Sequence, residues 1–296
     1  MRWSRRLVGF ALIASVMAAC SSTSSTGDDA EPVTSDTQGA EQSLPVVELV
    51  EQDGWGELFE DENVVGTFAV REVGSGQTLV WDRDRAERAR LPASTFKILN
   101  SMVILQTGVI GDVDELVPWD GVEREVEVWN QDHSLRSGIE VSAVWMYQAL
   151  ARRVGAARMA ERVAAADYGN TDIGGGIDEF WLRGDLRISA VEQLDFLERM
   201  VTGGLPFDDD VVTDVREIIV REQGDDWSWS HKTGTALAAE PTLGWLVGTT
   251  DVGGRTWVFA MNVDLDGPEL ATQIDPQVRQ TLTRRSLEDV GALPPT

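Results

Sequence analysis

Lysine is almost missing from this chain. Of its 25 basic residues only Lys97 and Lys232 are lysine, and all the others are arginine. Cysteine is rarer still, and the single Cys20 excludes an internal disulfide in any redox compartment. Two histidines and that one cysteine give no metal cluster, and the Asp/Glu runs lack the spacing of a calcium loop, so no metal site is assigned. Positive charge is also short, since 50 acidic residues leave a formal net charge of −25. Nucleic-acid binding depends on basic patches that neutralise phosphates, and this balance argues against it. Between Asp28 and Glu62 no basic residue occurs at all. The apolar run Leu7 to Met17 is too short and too early for a permanent membrane span.

What is present divides the chain into three parts. Met1 to Ala19 reads as an export signal: Arg2, Arg5 and Arg6, then the apolar run, then Ala18-Ala19 before a cut. Cys20 directly after those alanines resembles a bacterial lipoprotein cleavage site, although Met17 stands where leucine is usual. A plain secretory signal with an incidental cysteine is the alternative. Residues 20–54 are Ser/Thr-rich, then acidic, and too poor in large apolar residues to offset the entropy of ordering. They read as a flexible tether, on the order of 30–35 Å long as a coil, or as a leader without a role. Residues 55–296 form one folded unit.

Within that unit Val64 to Val73 and Gln77 to Trp81 alternate as a hairpin about Gly74-Ser75-Gly76. A helix follows from Pro92 to Gly108. After an irregular stretch, helical periodicity runs over 140–154 and 156–166. A Gly-rich loop spans 168–187, and its Gly174-Gly175-Gly176 has no Gly-Lys-Ser/Thr after it, so it is no phosphate loop. Ser189 caps a helix to about Thr202, and another spans about Asp209 to Arg221. Trp227 to Leu237, Thr242 to Asp251 and Thr256 to Asp264 are strands, and a helix closes the chain from Pro276 to about Val290. The class is α/β: an antiparallel sheet built from both termini, flanked by helices, with a helical insert. The natural place for a site is the cleft between sheet and insert.

The lysines carry the chemistry. Arginine stays charged at any relevant pH, whereas a buried lysine can shift its pKa, act as a base or be covalently modified. Lys97 follows Ser94 by three at a helix start, which puts a hydroxyl and an amine on one face as a nucleophile and base pair. Lys232 opens Lys232-Thr233-Gly234. Together these are the Ser-x-x-Lys and Lys-Thr-Gly pair of serine β-lactamases and penicillin-binding proteins. With Ser142-Ala143-Val144 and Tyr168-Gly169-Asn170 between them, the order resembles that of class D β-lactamases. Trp129-Asn130-Gln131-Asp132, Phe180-Trp181-Leu182 and Phe259-Ala260-Met261-Asn262 extend the likeness over nearly all of Gly66 to Leu293.

The resemblance implies a β-lactamase or transpeptidase-like fold and hydrolysis of β-lactams through an acyl-enzyme on Ser94. It implies that Lys97 takes up CO2 and serves as a carbamate base, with no other cofactor. Trp181 would hydrogen-bond that carbamate, and Leu182 and Val144 would lie over it. Ser142, expected on the next helix, would relay a proton to the lactam nitrogen, with Lys232 supplying positive charge. Thr233, Gly234 and Thr235 would line the substrate, the N–H groups of Ser94 and Thr235 forming the oxyanion hole. Arg279 would fork onto the substrate carboxylate, with Arg255 a weaker competitor. The implied partner is a small β-lactam, with a membrane reached only through a lipid on Cys20. A non-hydrolysing sensor or a D,D-peptidase of the same fold is the alternative. An acidic lipoprotein with a purely binding role leaves both lysines unexplained. Trp145, Leu246 and Thr249 depart from the family pattern beside the substrate groove. His133 and His231 have no partner pattern and receive no role.

Overall fold

The computed structural model describes residues 47–265 and 277–295. The export signal, Cys20 and Pro276 lie outside the described residues. The first element is strand β1 (Glu48–Glu51), followed by helix α1 (Gly56–Asp61) and the hairpin of β2 (Gly66–Glu72) and β3 (Gln77–Trp81). Gly74 and Gly76 both adopt positive φ, the backbone that turns this hairpin. Short α2 (Arg83–Ala86) leads to a 3-10 turn, Ala93–Phe96, and α3 (Lys97–Gln106). The helical insert continues with α4 (Leu135–Glu140), α5 (Val144–Val154), α6 (Ala156–Ala165), α7 (Ala190–Thr202) and α8 (Asp209–Ile218). Then come β4 (Val220–Gln223), β5 (Trp227–Ala236), β6 (Leu243–Val252), β7 (Arg255–Asp264) and α9 (Val278–Asp289).

The seven strands form one sheet in the order β1-β3-β2-β7-β6-β5-β4. The two ends of the chain meet where β2 pairs antiparallel with β7, Gly66 opposite Val263 and Glu72 opposite Trp257. Alternation sends side chains to two apolar layers. Trp245, Val247, Val258 and Ala260 meet the helical insert, while Leu246, Trp257, Phe259 and Met261 join Trp55, Phe59 and Leu282 on the side of α1 and α9.

Three expectations need correction. Order begins before Trp55, because β1 adds to the sheet inside the stretch read as a tether. Its pairing with β3 is parallel, so the sheet is mixed rather than wholly antiparallel. Apolar content does not reveal such a strand, since what holds it is backbone: Glu48 N–H donates to Gly76 O at 3.0 Å and Gln52 N–H to Val80 O at 2.7 Å. The helix expected over 140–154 starts only at Val144, because Ser142 sits at φ +58° and a left-handed residue cannot belong to a right-handed helix; a separate short helix, α4, precedes it inside the stretch read as irregular. Finally, α8 stops at Ile218 and the chain turns at once into β4, whose Val220 pairs with Ser230.

Because β4 pairs only as far as Ser230, the outer edge of β5 from Lys232 onward is free of strand partners. The 3-10 turn comes up against this edge. A Cβ on Gly234 would lie 3.0 Å from Pro92 O and 3.1 Å from Thr95 Cγ2, so any larger residue would push the turn back by a few tenths of an ångström. The sheet edge thereby meets the start of α3.

Trp55 anchors the N-terminal segment, with its ring 5.0 Å from Phe68 and its Nε1–H donating to Asp289 of α9 at 3.0 Å. Trp55→Ala is expected to destabilise the fold by about 3–5 kcal/mol, the cost of a large cavity at an aromatic site. Urea denaturation checks this; a loss under 1 kcal/mol would show that the segment is not part of the cooperative unit.

Candidate active site

The site is built on the 3-10 turn. Pro92 enters it in right-handed geometry, and Ala93 carries a strained φ of +49°. Ser94 therefore lies in this turn, just before the α-helix, and Lys97 is the first residue of α3. Lys97 Nζ is 2.6 Å from Ser94 Oγ. The amine is wholly buried, and that burial pulls it down from the ordinary lysine range to about 7. No carboxylate contacts it among the described residues. The ring of Tyr147 is 5.3 Å away, and the Tyr147 hydroxyl is 2.8 Å from Ser101 Oγ, which donates to the Lys97 carbonyl at 2.8 Å.

Phe96 organises the surroundings of the pair. Trp181 stacks on it at 5.5 Å, while Phe180 and Tyr168 meet it edge-on at 5.0 and 5.7 Å. Trp181 is buried and its Nε1–H has no partner among the described residues. An indole donor left dry is costly, so this N–H is free for an acceptor group at the site.

A buried residue that the sequence reading missed holds the turn from below. Gln193 of α7 donates from Nε2 to Thr95 Oγ1 at 3.0 Å and to the Tyr168 hydroxyl at 3.1 Å, and Thr95 Oγ1 donates to Pro92 O at 2.8 Å. Its signal was present: Gln193 falls on the buried stripe Ala190, Gln193, Leu194, Leu197, where a polar residue needs a reason. The reciprocal cap of Ser189 and Glu192 fixes the start of that helix.

The facing wall is β5. Lys232 is buried, with Nζ donating to the Thr233 carbonyl at 2.9 Å and to Thr233 Oγ1 at 3.3 Å. Burial first, then the charges of Lys97, Arg221 and Arg279, hold its pKa well below the ordinary value. Arg279 reaches across from α9, donating from Nη1 to Gly234 O at 2.9 Å and to Thr235 Oγ1 at 3.1 Å. Its burial lowers it to about 10. Arg255 is no competitor, because it pairs with Glu72 at the far end of the β6–β7 hairpin. Cations thus gather at one point of a strongly acidic chain, which favours an anionic ligand there.

Ser142 lies half-buried in the loop between α4 and α5, not on a helix. Among the described residues no hydrogen bond joins it to Ser94, Lys97 or Lys232. Two tryptophans brace the break. Trp129 Nε1–H donates to Val141 O at 2.9 Å, and Trp145 Nε1–H donates to Trp129 O at 2.8 Å. Trp145, a departure from the family pattern, is thereby explained as a support for Trp129. Leu246 and Thr249 are buried within the sheet opposite Thr233 and Ser230, so they reach the groove only through those strand neighbours.

A cavity of about 460 Å³ opens over Ser94. Trp129, Val144, Leu182, Thr235, Leu237 and Ala238 line it, with Gln148, Glu179 and Arg183 at its polar side. Leu237 is 81% exposed at the mouth. The structure brings together Ser94, Lys97, Lys232, Thr233, Gly234, Thr235 and Arg279, with Val144 and Leu182 above them.

A buried Ser–Lys pair thus lies under a cleft that is faced by a Lys-Thr-Gly strand. Residues 65–287 match the penicillin binding protein transpeptidase domain. Among curated proteins the chain is 44% identical over 202 residues to "Probable beta-lactamase YbxI" of Bacillus subtilis (68% of this chain, 75% of that protein). It is 36% identical over 253 residues to the β-lactamase OXA-48 of Klebsiella pneumoniae (85% and 94%). Among solved structures, the class D β-lactamase YbXI from Nostoc superposes with a TM-score of 0.77 at 35% identity, covering 81% of this chain and 99% of that one. The chain belongs to the transpeptidase-domain family and, within it, to the class D β-lactamases.

Two outcomes test this geometry. Gln193→Leu removes both hydrogen bonds under the turn without changing its shape much. Acylation of Ser94 by a fluorescent penicillin is expected to slow by about tenfold, as mispositioning would cause, while affinity moves less than twofold. An unchanged rate would assign Gln193 to packing alone. For Lys97, the folded amine titrates near 7 and the unfolded one near 10.5. Between those values the unfolded chain holds more protons, so stability rises with pH. In CO2-free buffer Lys97→Met is expected to be more stable than wild type at pH 7, by on the order of 4 kcal/mol, the gap closing toward pH 10. A pH-independent difference in denaturation midpoints would contradict the buried-amine account.

Proposed function

We propose that this enzyme hydrolyses β-lactams through an acyl-enzyme on Ser94, with Lys97 as the general base once carbamylated. The observation that carries the reading is the Lys97 amine, fully buried, 2.6 Å from Ser94 Oγ and held near pKa 7 with no carboxylate beside it. A lysine in the ordinary range is protonated and neither removes a proton from serine nor reacts with CO2. One near 7 is substantially neutral at neutral pH and can do either.

The residues present fit a carbamate on Lys97. The unpartnered Trp181 N–H supplies a donor for the new anion, and Phe96 with its aromatic neighbours keeps water away. When bound, the carbamate supplies a carboxylate-like base for both halves of the reaction. Arg279 and Lys232 hold the carboxylate that accompanies a β-lactam ring, and this fixes the carbonyl over Ser94. Ser94 Oγ then adds to that carbonyl, while the backbone N–H groups of Ser94 and Thr235 receive the developing oxyanion. The ring C–N bond breaks and its nitrogen takes a proton, for which Ser142 is the candidate donor. Water then attacks the ester, giving the opened acid and free Ser94. Trp129, Leu182 and Leu237 offer an apolar surface to the substrate side chain. The composition of Met1 to Ala19 supports export, and Cys20 supports a lipid anchor at the cell envelope.

Multiple turnover of a chromogenic cephalosporin by the purified protein is expected. One equivalent of product followed by silence would move the assignment to a sensor. With 13C-labelled bicarbonate, wild type is expected to show a carbamate resonance that Lys97→Arg lacks, and Trp181→Phe should weaken it. Lys97→Arg is expected to lose about 10²–10⁴-fold in turnover, the range of a general base. Lys232→Arg keeps the charge and should lose at least about tenfold less. Equal defects in the two variants, with no resonance in wild type, would overturn the carbamate.

A further inference from the structure

A second cavity, of about 360 Å³, opens between β4, β5 and α9, and it shares no lining residue with the one over Ser94. We propose that it is a binding site for a small free oxyanion of the phosphate class. This goes beyond the β-lactamase reading and does not depend on it.

Two buried ring nitrogens, one of them a donor, lie at this cavity. Trp229, 2% exposed, lines the cavity, and its Nε1–H has no partner among the described residues. An indole nitrogen can only donate. His231, 7% exposed, lines the same cavity with its Nδ1 unpartnered, and its ring lies 4.6 Å from that of Trp229. Burial, then the charges of Arg221, Lys232, Arg279 and Arg284, keep the imidazole neutral down to about pH 3. Of those cations Arg284 lines the cavity, and Arg285 joins it there, set against the carboxylates of Glu222 and Glu288. Arg284 lies 4.6 Å over the Trp229 ring, and Gln280 and Thr281 add an amide and an exposed hydroxyl to the lining.

The cavity already takes one oxyanion, from the chain itself. The Glu222 carboxylate pairs with the Arg284 guanidinium, and Glu288 approaches it from the helix at 3.8 Å. Glu222 is 46% exposed on a short edge strand, so it can turn outward and yield the guanidinium to a ligand. The ligand would then meet the Arg284 fork, the Trp229 N–H and the Thr281 hydroxyl together. It would sit one residue along β5 from Lys232 and one residue along α9 from Arg279.

Thermal unfolding with inorganic phosphate, exchanged for chloride at constant ionic strength, tests the proposal. The melting temperature is expected to rise and saturate, as for binding to the folded state alone. Trp229→Phe, which keeps the ring and removes the N–H, and Arg284→Gln should each weaken the apparent affinity by about tenfold, the worth of one charge-assisted hydrogen bond. Arg279→Gln should leave it within twofold. If either cavity variant fails to fold by circular dichroism, Thr281→Val, at an exposed position, carries the same test with a weakening of a few-fold. A rise that never saturates and is shared by all variants would overturn the proposal as a solvent effect. Loss in Arg279→Gln with retention in Arg284→Gln would overturn it by placing phosphate over Ser94. Vesicles of anionic phospholipid should give no protection; protection by vesicles without protection by free phosphate would make the ligand a headgroup and overturn it too.

Discussion

The structure depends on an amine kept out of water without a counter-ion. Lys97 has no carboxylate to hold it charged, so its environment must be dry, closely packed and rigid enough to keep water from re-entering. Phe96, Trp181, Phe180 and Tyr168 form one continuous aromatic contact around the residue before it, and Tyr147 closes the other side. They come from three segments: the 3-10 turn, α5 and the loop between α6 and α7. The insert can therefore be understood as the enclosure that keeps one amine from taking up its proton, with the sheet as the wall against which it closes.

A second constraint is how closely the wall approaches. The 3-10 turn fits closely on β5 at Gly234, which has no side chain to hold it off, and Gln193, Thr95 and Pro92 are tied in series beneath it. The left-handed Ser142 and the bracing pair of Trp129 and Trp145 set the third side. Ala93 and Ser142 are two of the six non-glycine residues with positive φ among the described residues, and both lie at the site.

Much of this was legible in the amino-acid sequence, and the limits have physical causes. The hairpin at Gly74 to Gly76, the strands β5 to β7 and the capped helix at Ser189 were readable because glycines, alternation and capping residues are local signals. The lysine pair was readable because the chain has no other lysines. Strand β1 was hidden, since four residues with charged ends owe their order to the backbone of β3. The break at Ser142 was hidden too, because composition does not encode φ. Gln193 was overlooked although its place on an apolar stripe marked it, and His231 and Trp229 became meaningful only when α9 brought Arg284 over them.

The early end of β4 has one more consequence. A strand edge with unsatisfied N–H and C=O groups is a template for another chain, and folded proteins hide or blunt such edges. Here the stretch from Lys232 to Ala236 is that edge, and the segment that covers it is the turn bearing Ser94. Any excursion that lifts this turn would uncover a flat, uncharged run of backbone beside the buried lysine. The place of the Ser94 turn and the cover over this strand thus rest on the same contact at Gly234.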